Sequence, residues 1–135
     1  MKIIVCLDDS GGMLFNKRRQ SSDEELCKRV LKKAENTALW MNEYSAKLFT
    51  GHNICVDDCF FEKAQKGDYC FVENADISSC LKKAEEITVY RWNRRYPSDV
   101  KFPIEILSSL RLVSSEKFKG KSHPEITEEV YSVEK

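Results

Sequence analysis

The stretch Ile3-Ile4-Val5-Cys6-Leu7 is an unbroken apolar run, ended by Asp8-Asp9-Ser10-Gly11-Gly12. A strand without polar alternation must be covered on both faces, as the central strands of a helix-flanked parallel sheet are. The next 85 residues or so keep to that plan. Leu26, Cys27, Val30, Leu31 and Ala34 recur at helical spacing and predict a helix over about Asp23 to Ala34, with Ser22 and Glu25 as its capping box. Ala38 to Met41 reads as a strand, Tyr44 to Gly51 as a short helix, and Ile54 to Val56 as a short strand. A helix over Asp58 to Lys66 is closed by Gly67, and Tyr69 to Val72 is the fourth strand. Ile77, Cys80, Leu81 and Ala84 share one face of an expected helix over Ile77 to Glu86, and Ile87 to Trp92 is the fifth strand. Beyond it, Leu110 to Ser114 and Ile126 to Val133 alternate with no strong helix between them, the pattern of an antiparallel pair. The expected fold is α/β: a three-layer, wound, mostly parallel sheet with a C-terminal antiparallel hairpin. One core serves roughly 100–200 residues, so residues 1–135 are expected to form one domain.

The chain carries 22 Lys and Arg against 22 Asp and Glu. That balance gives no global pull toward a nucleic-acid polymer or an anionic membrane, and neither is an expected partner. No apolar run approaches the ~18 residues of a membrane span. Acid follows the first strand at once and no small-residue cleavage site comes after it, so the start does not read as a secretory leader and a cytoplasmic protein is expected. The six cysteines, Cys6, Cys27, Cys55, Cys59, Cys70 and Cys80, form no C-x-x-C pair, and most sit in apolar surroundings. They read as reduced core thiols. With only His52 and His123 beside them, no metal site is expected. The same two histidines cannot supply the cluster that a metal nuclease of the ribonuclease Z kind needs.

Ligands of open α/β sheets bind beyond the carboxyl ends of the strands. Those ends deliver Asp9 after the first strand, then Asn42, Tyr44 and Ser45, then Glu73 and Asn74, and finally Arg91, Asn93 and Arg94. Strand ends are polar in any case, because loops lie on the surface. The most suggestive segment holds Asn16, Lys17, Arg18, Arg19 and Gln20 ahead of a helix start, where cations and free amides together favour an anion such as a phosphate. A solvated charge run is the plainer reading. Trp40 suits a core position and Trp92 a stacking surface. His123-Pro124 reads as a turn in the hairpin connection, and a Ser–His–Asp set can be written from these residues as from nearly any chain.

The order of these segments resembles dihydrofolate reductase. Lys2 to Asn16 looks like that family's first strand and mobile active-site loop. Thr88 to Trp92, Lys101-Phe102-Pro103, Leu112 to Glu116 and Thr127 to Tyr131 look like its closing strands. The resemblance implies an acid on the first helix against a pterin ring, and Asp23 is the nearest match. It also implies Gly-Arg-x-Thr after the second strand and a Gly-Gly pair before the last helix, both serving a nicotinamide cofactor. Here those places hold Met41-Asn42-Glu43-Tyr44-Ser45 and Glu73-Asn74. A carboxylate at that approach would crowd and repel a diphosphate.

The reading that follows is a divergent member of this fold, its reductase chemistry lost and no cofactor required. It binds a nucleotide-like or other anionic small molecule through Asn16, Arg18, Arg19, Gln20, Asn42, Tyr44, Ser45, Asn74, Arg91, Asn93 and Arg94. The alternative is an NADPH-dependent pteridine reductase with Asp23 as proton donor and Asp9 or Glu73 as a second acid–base group. A protein–protein adaptor using the sheet edge is a third, and a homo-oligomer is compatible with each.

Overall fold

A computed structural model describes residues 1–50, 52–78 and 81–133. The apolar runs form the middle of one seven-stranded sheet. In chain order its strands are β1 (Lys2–Leu7), β4 (Leu39–Met41), β5 (Cys55–Val56), β6 (Tyr69–Phe71), β7 (Glu86–Arg91), β9 (Arg111–Phe118) and β10 (Ile126–Ser132). Their spatial order is β5-β4-β6-β1-β7-β10-β9, parallel from β5 to β7, with β10 antiparallel to β7 and β9 antiparallel to β10. The expected wound sheet with its terminal hairpin is the observed one.

Side chains alternate across the pleat, so each strand feeds two layers. Ile3, Val5, Leu7, Cys70, Val72, Ile87 and Val89 meet Phe60, Phe102 and Leu107 on one face. Ile4, Phe71, Tyr90 and Ile126 meet Leu26 and Val30 of helix α1 (Glu24–Lys33) and Phe49 on the other. Helix α1 is capped by Asp23 rather than Ser22: Asp23 has extended φ/ψ, and its carboxylate accepts from the Glu25 and Leu26 amides.

Other expected elements contract. The segment before Gly51 is α2 (Glu43–Ala46) followed by a 3-10 turn Lys47–Phe49, and Gly51 itself lies outside the described residues. Helix α3 covers only Phe60–Lys63, so Gly67 is a turn residue ahead of β6, at φ +87°, and not a helix cap. No α-helix occupies the described part of 77–86. A 3-10 turn, Leu81–Lys83, stands there, with Cys80 outside the described residues. Ile77 and Ala84 are buried nonetheless, so a docked loop satisfies the spacing that suggested a helix face.

A small second sheet was not anticipated. Strands β2 (Gly12–Phe15), β3 (Arg18–Arg19) and β8 (Val100–Lys101) pair in the order β3-β2-β8. Asn16 and Lys17, at φ 54° and 64°, make the two-residue turn between β2 and β3, whose positive φ values match the strand twist. Among the described residues no helix is long and apolar enough to cross a membrane.

Candidate functional site

The β2–β3 hairpin folds back over the carboxyl end of the large sheet, and Asp8 holds it there. Asp8 Oδ1 accepts from the Ser10 and Gly12 amides at 2.9 and 2.7 Å, while Oδ2 accepts from the Tyr96 amide at 3.0 Å and from Gln20 Nε2 at 3.3 Å. Burial raises its carboxyl pKa, but the Tyr96 and Gly12 amides outweigh that and hold it below the usual range. Asp9, the candidate picked from the sequence, is exposed, and it is Asp8 that faces inward.

Arg19 descends from the hairpin into the sheet end. Its Nε and Nη2 meet Glu73 Oε2 and Oε1 at 2.8 and 3.1 Å, and Nη2 also donates to the Tyr44 carbonyl at 3.2 Å. The guanidinium lies 4.5 Å from the Tyr44 ring centroid, and the Tyr44 hydroxyl accepts from the Arg19 amide at 2.8 Å. The cation picked for an anionic ligand is therefore already satisfied by Glu73. Beside it, Asn42 caps α2 through the Ser45 amide and donates to Asn74 Oδ1 at 2.6 Å, tying the ends of β4 and β6 together.

Arg91 does not join them. It shares a face with Ile87 and Val89 and pairs with Glu129 of β10 at 2.5 Å, whereas Glu73 shares the face of Phe71, on the far side of the sheet. The odd–even pleat separates the two, so the single hollow expected from Asp9, Asn42, Glu73 and Arg91 does not form. Asn93, at φ 59°, bonds Thr127 Oγ1 at 2.9 Å and serves the turn, and Arg94 is exposed.

Asp23 is fully engaged. Besides its two helix amides it accepts from the Lys121 amide at 3.0 Å, the Ser122 amide at 2.9 Å and the Ser122 hydroxyl at 3.1 Å, and it meets His123 Nδ1 at 2.9 Å. Burial pushes its carboxyl up, and these donors, His123 foremost, overcome burial and hold it far below the usual carboxylate range. A group so ionised is poorly suited to donate a proton. The 120s turn can approach because Gly120 has no Cβ: one added there would lie 2.5 Å from Asp23 Oδ2. Gly120→Ala is expected to cost about 2 kcal/mol, of the order set by overpacking a tight site, read as a lower midpoint in urea.

Two of the hollows among the described residues adjoin these groups. One of about 390 Å³ lies under the hairpin and is lined by Phe15, Asn16, Arg18, Arg19, Gln20, Tyr96 and Pro97. The other, of about 330 Å³, runs along α1 past Cys27, Lys28 and Leu31 to Leu48 and His52. The thiol of Cys27 is pushed up to about 11 by burial and next by the Glu73 carboxylate, so it is neutral at pH 7. Among the described residues no group of three or more His, Cys, Asp or Glu is placed to hold a metal ion.

Among solved structures, dihydrofolate reductase from Enterococcus faecalis, complexed with NADP(H) and RAB-propyl, matches 97% of this chain and 94% of its own with a TM-score of 0.70. The fold is that of dihydrofolate reductase. Sequence identity is 11%, so the likeness is one of fold alone. No protein-family model and no curated protein matches the sequence.

The Asn42–Asn74 bond bridges the strand ends, and Arg19 is neutralised by the Glu73 carboxylate. The buried Ser45 hydroxyl has no hydrogen-bond partner among the described residues and lies in α2, a helix of four residues. Helix α1 turns Glu24 and Cys27 toward the hollow along its flank, with its cap Asp23 beside them.

Proposed function

We propose that the chain is a binding protein on the dihydrofolate reductase fold, taking a nucleotide-like or other anionic small molecule at the carboxyl end of the sheet, with reductase chemistry lost. One observation carries this reading. The 390 Å³ hollow under the hairpin offers a cation, Arg18, that among the described residues has no carboxylate partner, beside the rings of Phe15 and Tyr96. Its volume is in the range of small-molecule sites. Arg18 would take the anion through its planar fork, and the rings a flat heterocycle. Asn16 and Gln20 line the same hollow, while Arg19 serves it as a wall held by Glu73.

The reductase alternative draws support from the fold, and the full engagement of Asp23 and the Arg19–Glu73 pair speak against it. The adaptor alternative draws support from β9, an outer strand with Leu112 and Val113 about half exposed.

Titration calorimetry against nucleotides, cyclic dinucleotides and NADPH tests the proposal. At least one phosphate-bearing ligand is expected to bind. Arg18→Ala is expected to weaken it about tenfold, the worth of one charge-assisted hydrogen bond, with no change in melting temperature. An absence of heat from every such ligand overturns the proposal. NADPH binding accompanied by NADPH consumption with dihydrofolate replaces it with the reductase reading.

A further inference from the structure

His123 is buried and held on three sides. Its ring stacks on Trp92 with centroids 4.6 Å apart and planes 27° from parallel. Nδ1 meets Asp23 Oδ2 at 2.9 Å, and Nε2 meets the Ser21 hydroxyl at 3.0 Å and the Tyr96 hydroxyl at 3.2 Å. An ionised carboxylate can only accept, so in the neutral imidazole Nδ1 carries the proton and Nε2 presents its lone pair to the hydroxyls. A hydroxyl, an imidazole nitrogen and a buried carboxylate in this series form a nucleophile, a general base and an orienting group.

We propose that Ser21, His123 and Asp23 are a nucleophilic triad that hydrolyses small carboxylic esters. None of the three is needed for the ligand reading above. Ser21 is half-buried, and its neighbours line both hollows: Gln20 the one under the hairpin, Ser22 the one along α1. Tyr96 lines the first hollow and its hydroxyl touches His123 Nε2, so one side chain separates that hollow from the base. Arg18 on its wall favours a substrate with an anionic group.

In the reaction, Ser21 Oγ bonds to the ester carbonyl carbon as its proton passes to His123 Nε2. The carbon–alkoxide bond then breaks, and the alkoxide leaves with that proton. Water attacks the acyl-serine by the same route and returns the proton to Ser21, so that ester and water become acid and alcohol. Asp23 stays ionised throughout and steadies the imidazolium.

The test is an alkyl fluorophosphonate followed by peptide mass spectrometry, run beside p-nitrophenyl acetate hydrolysis. The intact protein is expected to gain one phosphonyl group on Ser21. Ser21→Ala is expected to melt as the wild type does, to take no label, and to lose at least tenfold in hydrolysis. No label on Ser21 in the folded wild-type protein overturns the proposal, whatever the variant does. So do a label confined to Ser22 or Tyr96 and hydrolysis that survives Ser21→Ala.

Discussion

Arg19→Met is expected to lower the unfolding free energy by about 3 kcal/mol, the cost typical of stranding one member of a desolvated ion pair. Glu73 keeps only 8% of its side chain exposed, and Arg19 donates to both of its carboxylate oxygens. With Arg19 removed, the carboxylate must stay buried and unpaired, draw in water or take up a proton. Glu73→Leu is expected to cost less, about 1 kcal/mol. The guanidinium left behind is 24% exposed, still stacks on Tyr44 and donates to its carbonyl, and can turn toward solvent. Two apolar groups leave no charge behind, so Arg19→Met with Glu73→Leu is expected to come within about 1 kcal/mol of the wild-type protein. Urea unfolding of the four proteins gives the coupling energy directly. Additive losses would show that Arg19 and Glu73 do not depend on each other, and the wall that Arg19 is said to form would lose its basis.

That pair also marks where sequence reading stops. Lys17-Arg18-Arg19 announces cations near a helix start, but not that one of them is claimed by a glutamate 54 residues further on. The apolar runs at Ile3–Leu7 and Tyr69–Phe71 were legible because both-face burial leaves no polar alternation, and the closing hairpin was legible from two strand-like segments with no strong helix between them, although β9 is exposed along nearly its whole length. The β2–β3 hairpin was not, since its turn is Asn16-Lys17 and lacks the glycine that usually advertises positive φ. The spacing of Ile77, Leu81 and Ala84 misled because a loop pressed on the core can bury the same positions as a helix. Strand ends were taken as the site's location, but Arg91 and Glu73 fell on opposite faces. Face depends on register, and a one-residue shift inverts it. His123 read as a turn residue because its partners Asp23 and Ser21 lie 100 and 102 residues away, a contact that no local pattern encodes.

Asp23→Asn is expected to cost about 3 kcal/mol near neutral pH, which for a domain of this size lowers the melting temperature by roughly 10 °C. The amide can keep one oxygen for the helix cap, as asparagine caps nearly as well as aspartate. Its NH₂ then faces the Ser122 amide and His123 Nδ1, both donors in the native arrangement, so buried hydrogen bonds are lost rather than weakened. The loss is expected to depend on pH in one direction. The folded carboxyl is depressed below its unfolded value of about 3.9, so its stabilisation is complete above that value and fades as the pH falls toward the folded pKa. Wild-type and variant proteins should therefore differ by the full amount above about pH 5, and the gap should narrow progressively as the pH falls below about 4 toward the folded pKa. Thermal melts from pH 3 to 7 read this out. A constant gap across that range would mean that Asp23 contributes shape and not charge, and the ionised orienting group assigned to His123 would have to be withdrawn.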